Sequence, residues 1–252
     1  MRYAEYPAVR IGERGAGSVA GIGDEQTRFL EGYELGMWQA NCYLLGDRSL
    51  GTAVVVDPGQ DATDVVLQRL EANGVRCEAV LLTHGHIDHL WSAPELSDKL
   101  DAPVFLHPDD RYLWDNPAAG FGNVPLDVLE AQLGLQWRPG DERLQDLADD
   151  MTLSFAGFGF RVRHTPGHTP GSSVFLLQDS PFDDPVLLSG DLIFAGSVGR
   201  TDFPRGSLAQ QNESLARVVL PLDDATRIFS GHGPETTVGT ERRTNPFIRP
   251  LV

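Results

Sequence analysis

The chain has 252 residues, 41% of them hydrophobic and 22% charged, with a formal charge of −16. That balance suits one soluble domain with a full core, or at most two small ones, and the acidic excess argues against nucleic acid as a partner. No apolar run nears the roughly 18 residues of a membrane span, and Met1 to Arg14 lacks a secretory apolar core; the expectation is a cytoplasmic protein with no membrane partner.

Residues 1–32 carry Gly15-Ala16-Gly17-Ser18 and Gly21-Ile22-Gly23 without sustained periodicity and read as an irregular arm, leaving 33–252 as the domain proper. Strand-like apolar runs follow at Gln39 to Leu45 and Thr52 to Asp57, the second closed by Pro58-Gly59. Val65, Val66, Leu67 and Leu70 then fall at helical spacing, with Gly74 as a stop. Cys42 and Cys77 sit in apolar surroundings without CxxC spacing and read as buried or half-buried thiols in a reducing compartment.

After the apolar run Ala79-Val80-Leu81-Leu82 comes Thr83-His84-Gly85-His86-Ile87-Asp88-His89, which holds three of the chain's seven histidines and a carboxylate. Neutral imidazole and carboxylate are ligands for zinc, and also suit iron and manganese. If the chain leaves the strand still extended, His84 and His86 share one face and can grip one ion together. Asp88 and His89 fall where a helix over Leu90 to Leu100 begins, placed to grip a second ion.

Pro103 to Leu106 reads as a short buried strand ending at His107, a histidine expected to bond backbone rather than to act in catalysis. Residues 109–150 are weakly patterned and read either as helical pieces inserted as a lid over the site mouth or as a surface excursion without function. Strands are expected at Thr152 to Phe155, Phe158 to Arg163, Ser173 to Leu177 and Val186 to Leu188, spaced closely enough for antiparallel hairpins. Ser207 to Leu220 reads as a helix, Arg227 to Ser230 as a last strand and Glu235 to Asn245 as a last helix. Periodicity by itself gives mixed α and β.

The His84 to His89 stretch resembles the HxHxDH signature of the metallo-β-lactamase superfamily. His164-Thr165-Pro166-Gly167-His168, Ser189-Gly190-Asp191 and Ser230-Gly231-His232-Gly233 recur in that superfamily's order. The resemblance implies a four-layer αββα sandwich. It also implies two divalent ions per chain, zinc foremost with iron or manganese as options. His84, His86 and His168 would hold one, Asp88, His89 and His232 the other, and Asp191 would bridge them. In this reading Asp88 and Asp191 are also the catalytic carboxylates, orienting a hydroxide between the ions, and His164 is assigned to hydrogen bonding or structure.

True β-lactamases commonly replace the bridging aspartate with cysteine and lack the histidine of the Asp-His pair, so this chain looks less like them. Gly199-Arg200-Thr201-Asp202-Phe203 and the residues around His232 resemble the short bacterial glyoxalase II-like branch. A thioesterase acting on small hydroxyacyl-thiol esters such as S-lactoylglutathione follows as the implied function, with Arg200 as a substrate contact or else paired with Asp202. Two other readings stay open: a one-iron persulfide dioxygenase using His84, His168 and Asp191, and a metal-binding protein without catalysis. Only 20 residues follow His232 (252 − 232), so the C-terminal helical domain that contacts glutathione in longer relatives is expected to be missing, with loose carrier preference as the consequence.

Overall fold

In a computed structural model, which describes residues 9–10, 27–134, 136–140, 142–178 and 180–251, the apolar runs become two sheets packed face to face. The first sheet runs in chain order through β1 (Val9–Arg10), β2 (Arg28–Leu35), β3 (Ala40–Asp47), β4 (Thr52–Val56), β5 (Arg76–Leu81), β6 (Val104–Leu106) and β7 (Leu144–Asp146). Its first four strands are antiparallel; β4 to β7 are parallel. The second sheet holds β8 (Thr152–Phe155), β9 (Phe158–His164), β10 (Ser173–Gln178) and β11 (Val186–Gly190). After a two-stranded ribbon, β12 (Ile193–Phe194) and β13 (Ser197–Val198), it is completed by β14 (Arg227–Ser230) and β15 (Thr236–Thr237) in the order β15-β14-β11-β10-β9-β8. The expected hairpins are present as antiparallel β8–β9, β9–β10 and β10–β11 pairs.

Central strands read as nearly continuous apolar runs because both of their faces are covered. On β4, Val54 and Val56 point to the core between the sheets with Phe160, Phe175 and Phe229. Ala53 and Val55 point the other way, to α1 (Ala62–Asn73) and the segment that follows the histidine loop. On the far side, Val174, Leu187 and Ile228 pack against Leu215, Val219 and Val238. Helix, sheet, sheet, helix is therefore the layer order, as the family resemblance implied. Helix α1 stops at Gly74, whose φ of 66° is left-handed and whose N–H caps the carbonyl of Glu71 at 3.0 Å.

Three expectations are modified. The helix expected over Leu90 to Leu100 is two pieces, α2 (Ile87–Leu90) and α3 (Ala93–Leu100). Pro94 suits only a first turn, so a new helix starts there, while the Ser92 N–H and hydroxyl bond the carbonyls of Pro58 and Gly59 at 2.9 and 2.7 Å. The last helix is shorter than expected. Thr236–Thr237 pairs with β14, and Thr237 Oγ1 caps α7 (Val238–Thr244) by accepting from Thr240 N–H.

Residues 109–150 also divide. A 3-10 turn at Pro108–Asp110, α4 (Arg111–Asp115) and a second turn at Pro117–Phe121 lie against the histidine loop, and α5 (Leu126–Leu133) follows. Leu144–Asp146 is strand β7, and Trp137 is core, donating its indole N–H to the Trp114 carbonyl at 2.7 Å. A three-residue edge strand with one buried side chain leaves no periodicity to read. The irregular arm lies outside the described residues except for 9–10 and 27–32, and Arg28 to Gly32 already belong to β2. Among the described residues no helix is long and apolar enough to cross a membrane. α6 (Leu208–Ser214), capped by Ser207 Oγ, runs on into Leu215–Val219 with π geometry.

Candidate metal centre

All seven residues proposed as ligands meet at one edge of the sandwich, because each lies just past the C-terminal end of a strand. His84 and His86 follow β5, Asp88 and His89 open α2, His168 lies in the β9–β10 turn, Asp191 follows β11 and His232 follows β14. Backbone bonds knit these loops: Ser173 N–H to the Thr83 carbonyl at 2.7 Å, Gly231 N–H to Gly190 at 2.8 Å, and Asn41 N–H to Gly231 at 2.7 Å. The Asn41 amide and the Tyr43 hydroxyl both donate to the Ser230 carbonyl, at 2.9 and 2.7 Å.

Three donor groups form among these residues: His84–His86–His168, His84–His89–Asp191 and Asp88–His89–His232. Two nitrogen ligands about 2.0–2.1 Å from a tetrahedral zinc stand about 3.3 Å apart. Here His86 Nδ1 and His168 Nε2 are 2.8 Å apart, His89 Nε2 and His232 Nε2 3.3 Å, and His232 Nε2 and Asp88 Oδ2 3.3 Å. Asp191 lies between the triads: Oδ1 is 3.4 Å from His89 Nε2, while Oδ2 is 3.5 Å from His168 Nε2 and 3.6 Å from His232 Nε2. His84 Nε2 and Asp191 Oδ1 are buried without a hydrogen-bond partner. Such orphaned atoms are costly in a core unless a ligand meets them. The donor set fits divalent ions.

Outer hydrogen bonds aim the rings. His168 Nδ1 donates to the Arg200 carbonyl at 2.7 Å and His232 Nδ1 to the Gln39 carbonyl at 3.2 Å. His89 Nδ1 faces Asp57 Oδ2 at 3.1 Å and His84 Nδ1 faces Thr83 Oγ1 at 3.0 Å. With Nδ1 engaged in this way, Nε2 is the nitrogen that each of these rings turns toward a metal. Crowding sets the charges. Burial, then the neighbouring imidazoles, pushes His84 and His86 well below the usual histidine range. Burial would lower His89 as well, but Asp88, Asp191 and Asp57 outweigh it and lift it to about 10. His232 is raised against its own burial by the Asp88 hydrogen bond and by Asp191. Asp88 is depressed against its burial by His89 and His232, so it is ionised at neutral pH.

Two supporting carboxylates escaped the sequence reading. Asp57 directly follows β4 at a left-handed φ of 50°, is buried, and accepts from Thr83 N–H at 2.7 Å and Thr83 Oγ1 at 2.6 Å as well as facing His89. Its signal was a charged residue closing an apolar strand before Pro58-Gly59, which also reads as an ordinary turn. Asp110 is fully buried between the His84–His89 loop and the His168 turn; in the sequence it is one of two adjacent surface-like acids. Gly59 belongs to the same shell, since a methyl there would overlap the Asp88 carbonyl oxygen.

The remaining candidates lie outside the cluster. The Arg200 guanidinium is held by both Asp202 oxygens at 2.7 Å and rests over the Phe203 ring at 4.1 Å, the internal pairing that was the alternative to substrate contact. His164 Nε2 donates to the Pro170 carbonyl at 2.8 Å, and His107 Nδ1 accepts from Asp109 N–H at 3.3 Å. With Asp109 these two form a fourth donor group. Their rings stack 3.9 Å apart at 7°, so their in-plane lone pairs run parallel and do not converge on one ion. Cys42 and Cys77 are buried free thiols, pushed up by burial to beyond the usual range for Cys42 and to about 12 for Cys77.

Comparison with known proteins gives a consistent picture. Residues 35–232 match the metallo-beta-lactamase superfamily. An uncharacterized protein of Mycobacterium leprae is 41% identical over 222 residues, covering 88% of this chain and 99% of its own. Hydroxyacylglutathione hydrolase GloC of Haemophilus influenzae is 34% identical over 212 residues, covering 84% and 93%. Among solved structures, the BLEG-1 B3 metallo-beta-lactamase superposes with a TM-score of 0.74 at 33% identity, covering 87% of this chain and 99% of that one. TTHA1623 in a di-iron-bound form gives 0.70 at 36% identity, covering 86% and 98%.

Proposed function

Because this chain belongs to the metallo-β-lactamase superfamily, we propose that it is a binuclear metallohydrolase of the glyoxalase II-like kind, cleaving small hydroxyacyl-thiol esters such as S-lactoylglutathione. The observation that carries this reading is Asp191, whose two oxygens face ligands of both triads. The named activity of the GloC relative supports the substrate class.

When bound, two divalent ions would lower the pKa of the water they hold to roughly 7 and polarise an acyl carbonyl. The chain's own residues do the rest. His84, His86, His89 and His168 are buried, whereas the Asp88 and His232 side chains keep 20% and 26% of their surface. Substrate therefore arrives on the Asp88–His232 side. Asp88 is the most accessible carboxylate of the cluster and is ionised, so it can orient water and accept a proton before passing it to the leaving thiolate. On the His86 side Phe203 meets the imidazole edge-on at 5.6 Å and Phe121 meets Phe203 at 6.3 Å; these rings give that flank an apolar wall.

The test loads purified protein with zinc, manganese or iron, counts ions per chain, and measures turnover of S-lactoylglutathione, a chromogenic cephalosporin and glutathione persulfide. About two ions with thioester turnover well above the other two is the expected result. A single iron with oxygen consumption on the persulfide, or preference for the β-lactam, would overturn it.

A further inference from the structure

We infer that Asp110 is a positioning residue that fixes the separation of the two loops carrying His84, His86 and His168, and thereby sets how tightly that triad holds a metal ion. The inference rests on the metal-centre reading above and adds a residue from outside every ligand motif.

Asp110 is fully buried. Its Oδ2 accepts from the Gly85 N–H at 2.9 Å and from Thr169 Oγ1 at 2.7 Å, and its Oδ1 accepts from the Gly171 N–H at 2.7 Å. Gly85 stands between His84 and His86; Thr169 and Gly171 lie one and three residues after His168. One carboxylate thus joins both loops through three donors, and charge-assisted bonds of this kind are short and strong.

The glycines show how closely the 108–121 segment is pressed between the loops. A methyl on Gly171 would lie 2.6 Å from Asp110 Cγ, and one on Gly85 would lie 2.8 Å from Leu113 Cβ and 3.2 Å from Asp110 Cβ. In the reverse direction, a methyl on Gly120 would come within 3.2 Å of His86 Cδ2. The loops and the segment have been shaped for contact at the backbone. On the ligand side the same gap is spanned by His86 Nδ1 and His168 Nε2, 2.8 Å apart, and by the His84 and His168 rings, 4.8 Å apart, so a change in the bridge at Asp110 changes the ligand spacing.

The test is Asp110→Asn. Asparagine keeps the shape, but all three partners donate, and its NH2 must face one of them. Cobalt(II) is titrated into wild type and variant, read by its visible spectrum and by competition with a chelator. The expected result is that one of the two sites weakens about 10–100-fold with an altered cobalt spectrum, while the other site changes less. If that variant fails to fold, Thr169→Val carries the test: it removes one hydroxyl donor at nearly constant volume and should weaken the same site about threefold to tenfold. Val66→Ala, a buried truncation in helix α1, controls for general loosening and should lower Tm with both cobalt affinities unchanged. Wild-type protein that takes up no cobalt would overturn the metal-centre reading and this inference with it. Two loaded sites in wild type, with variant affinities within twofold, or an equal loss in Val66→Ala, would overturn the inference alone.

Discussion

Asp57→Asn tests whether a carboxylate that touches no ion controls the ligands that do. Asparagine tolerates the left-handed φ of 50° at this position, so the backbone is kept and only the hydrogen-bond code changes. With its carbonyl oxygen still accepting from Thr83 N–H, the new NH2 faces Thr83 Oγ1 and His89 Nδ1, which now stand 2.6 and 3.1 Å from the carboxylate. His89 then prefers to accept at Nδ1 and carry its proton on Nε2, the atom directed at Asp88 and Asp191. Thr83, having lost its acceptor, donates to His84 Nδ1 and moves that proton to Nε2 in the same way. Restoring each metal-competent tautomer sets donor against donor, a cost of about 1–3 kcal/mol, which is roughly 10–100-fold in metal affinity. Chelator competition with zinc or cobalt at pH 7.5 measures it, with a Tm of the metal-free protein as the control for folding. Affinities within twofold of wild type would refute the argument that Asp57 sets these tautomers.

Asp191→Asn should lower occupancy of both ions and kcat together, since an amide supplies no charge and bridges two cations poorly; elemental analysis beside kinetics reads it, and a doubly loaded variant of near-normal rate would refute the binuclear reading. The metal-free protein holds a proton on His89, lifted to about 10, and that proton must leave when Nε2 takes an ion. Metal binding at pH 7 to 9 should therefore release at least one proton per chain, with apparent affinity rising about tenfold per pH unit; titration in weakly buffered solution checks the count, and no release would contradict it. Arg200→Ala should change KM for a thioester less than about threefold, because the guanidinium is already held by Asp202 and such exposed pairs are weakly coupled to anything else; a tenfold rise would restore Arg200 as a substrate contact. Gly59→Ala forces a methyl into the Asp88 carbonyl, and overpacking of this kind should cost about 1–3 kcal/mol, seen as a fall of several degrees in Tm and weaker metal binding in one variant.

The sequence by itself, through the family motifs it carries, pointed to the layers and to the residues that would serve as ligands. Runs such as Thr52 to Val56 could only be strands covered on both faces, because Val54 and Val56 serve one core while Ala53 and Val55 serve another. The ligand motifs were legible because each packs its chemistry into a few residues: extended backbone after β5 puts His84 and His86 on one face, and the start of α2 carries Asp88 and His89. Tertiary structure decided what long-range contact creates. Asp57 reaches His89 across 32 positions and Asp110 reaches Gly171 across 61, and neither has a local pattern, because a hydrogen-bond acceptor is chosen by what the fold brings to it. The same holds for β7, whose three residues become a strand only because β6 offers it an edge. Covalent proximity fixes which ligand types sit together; only packing fixes which way their rings face.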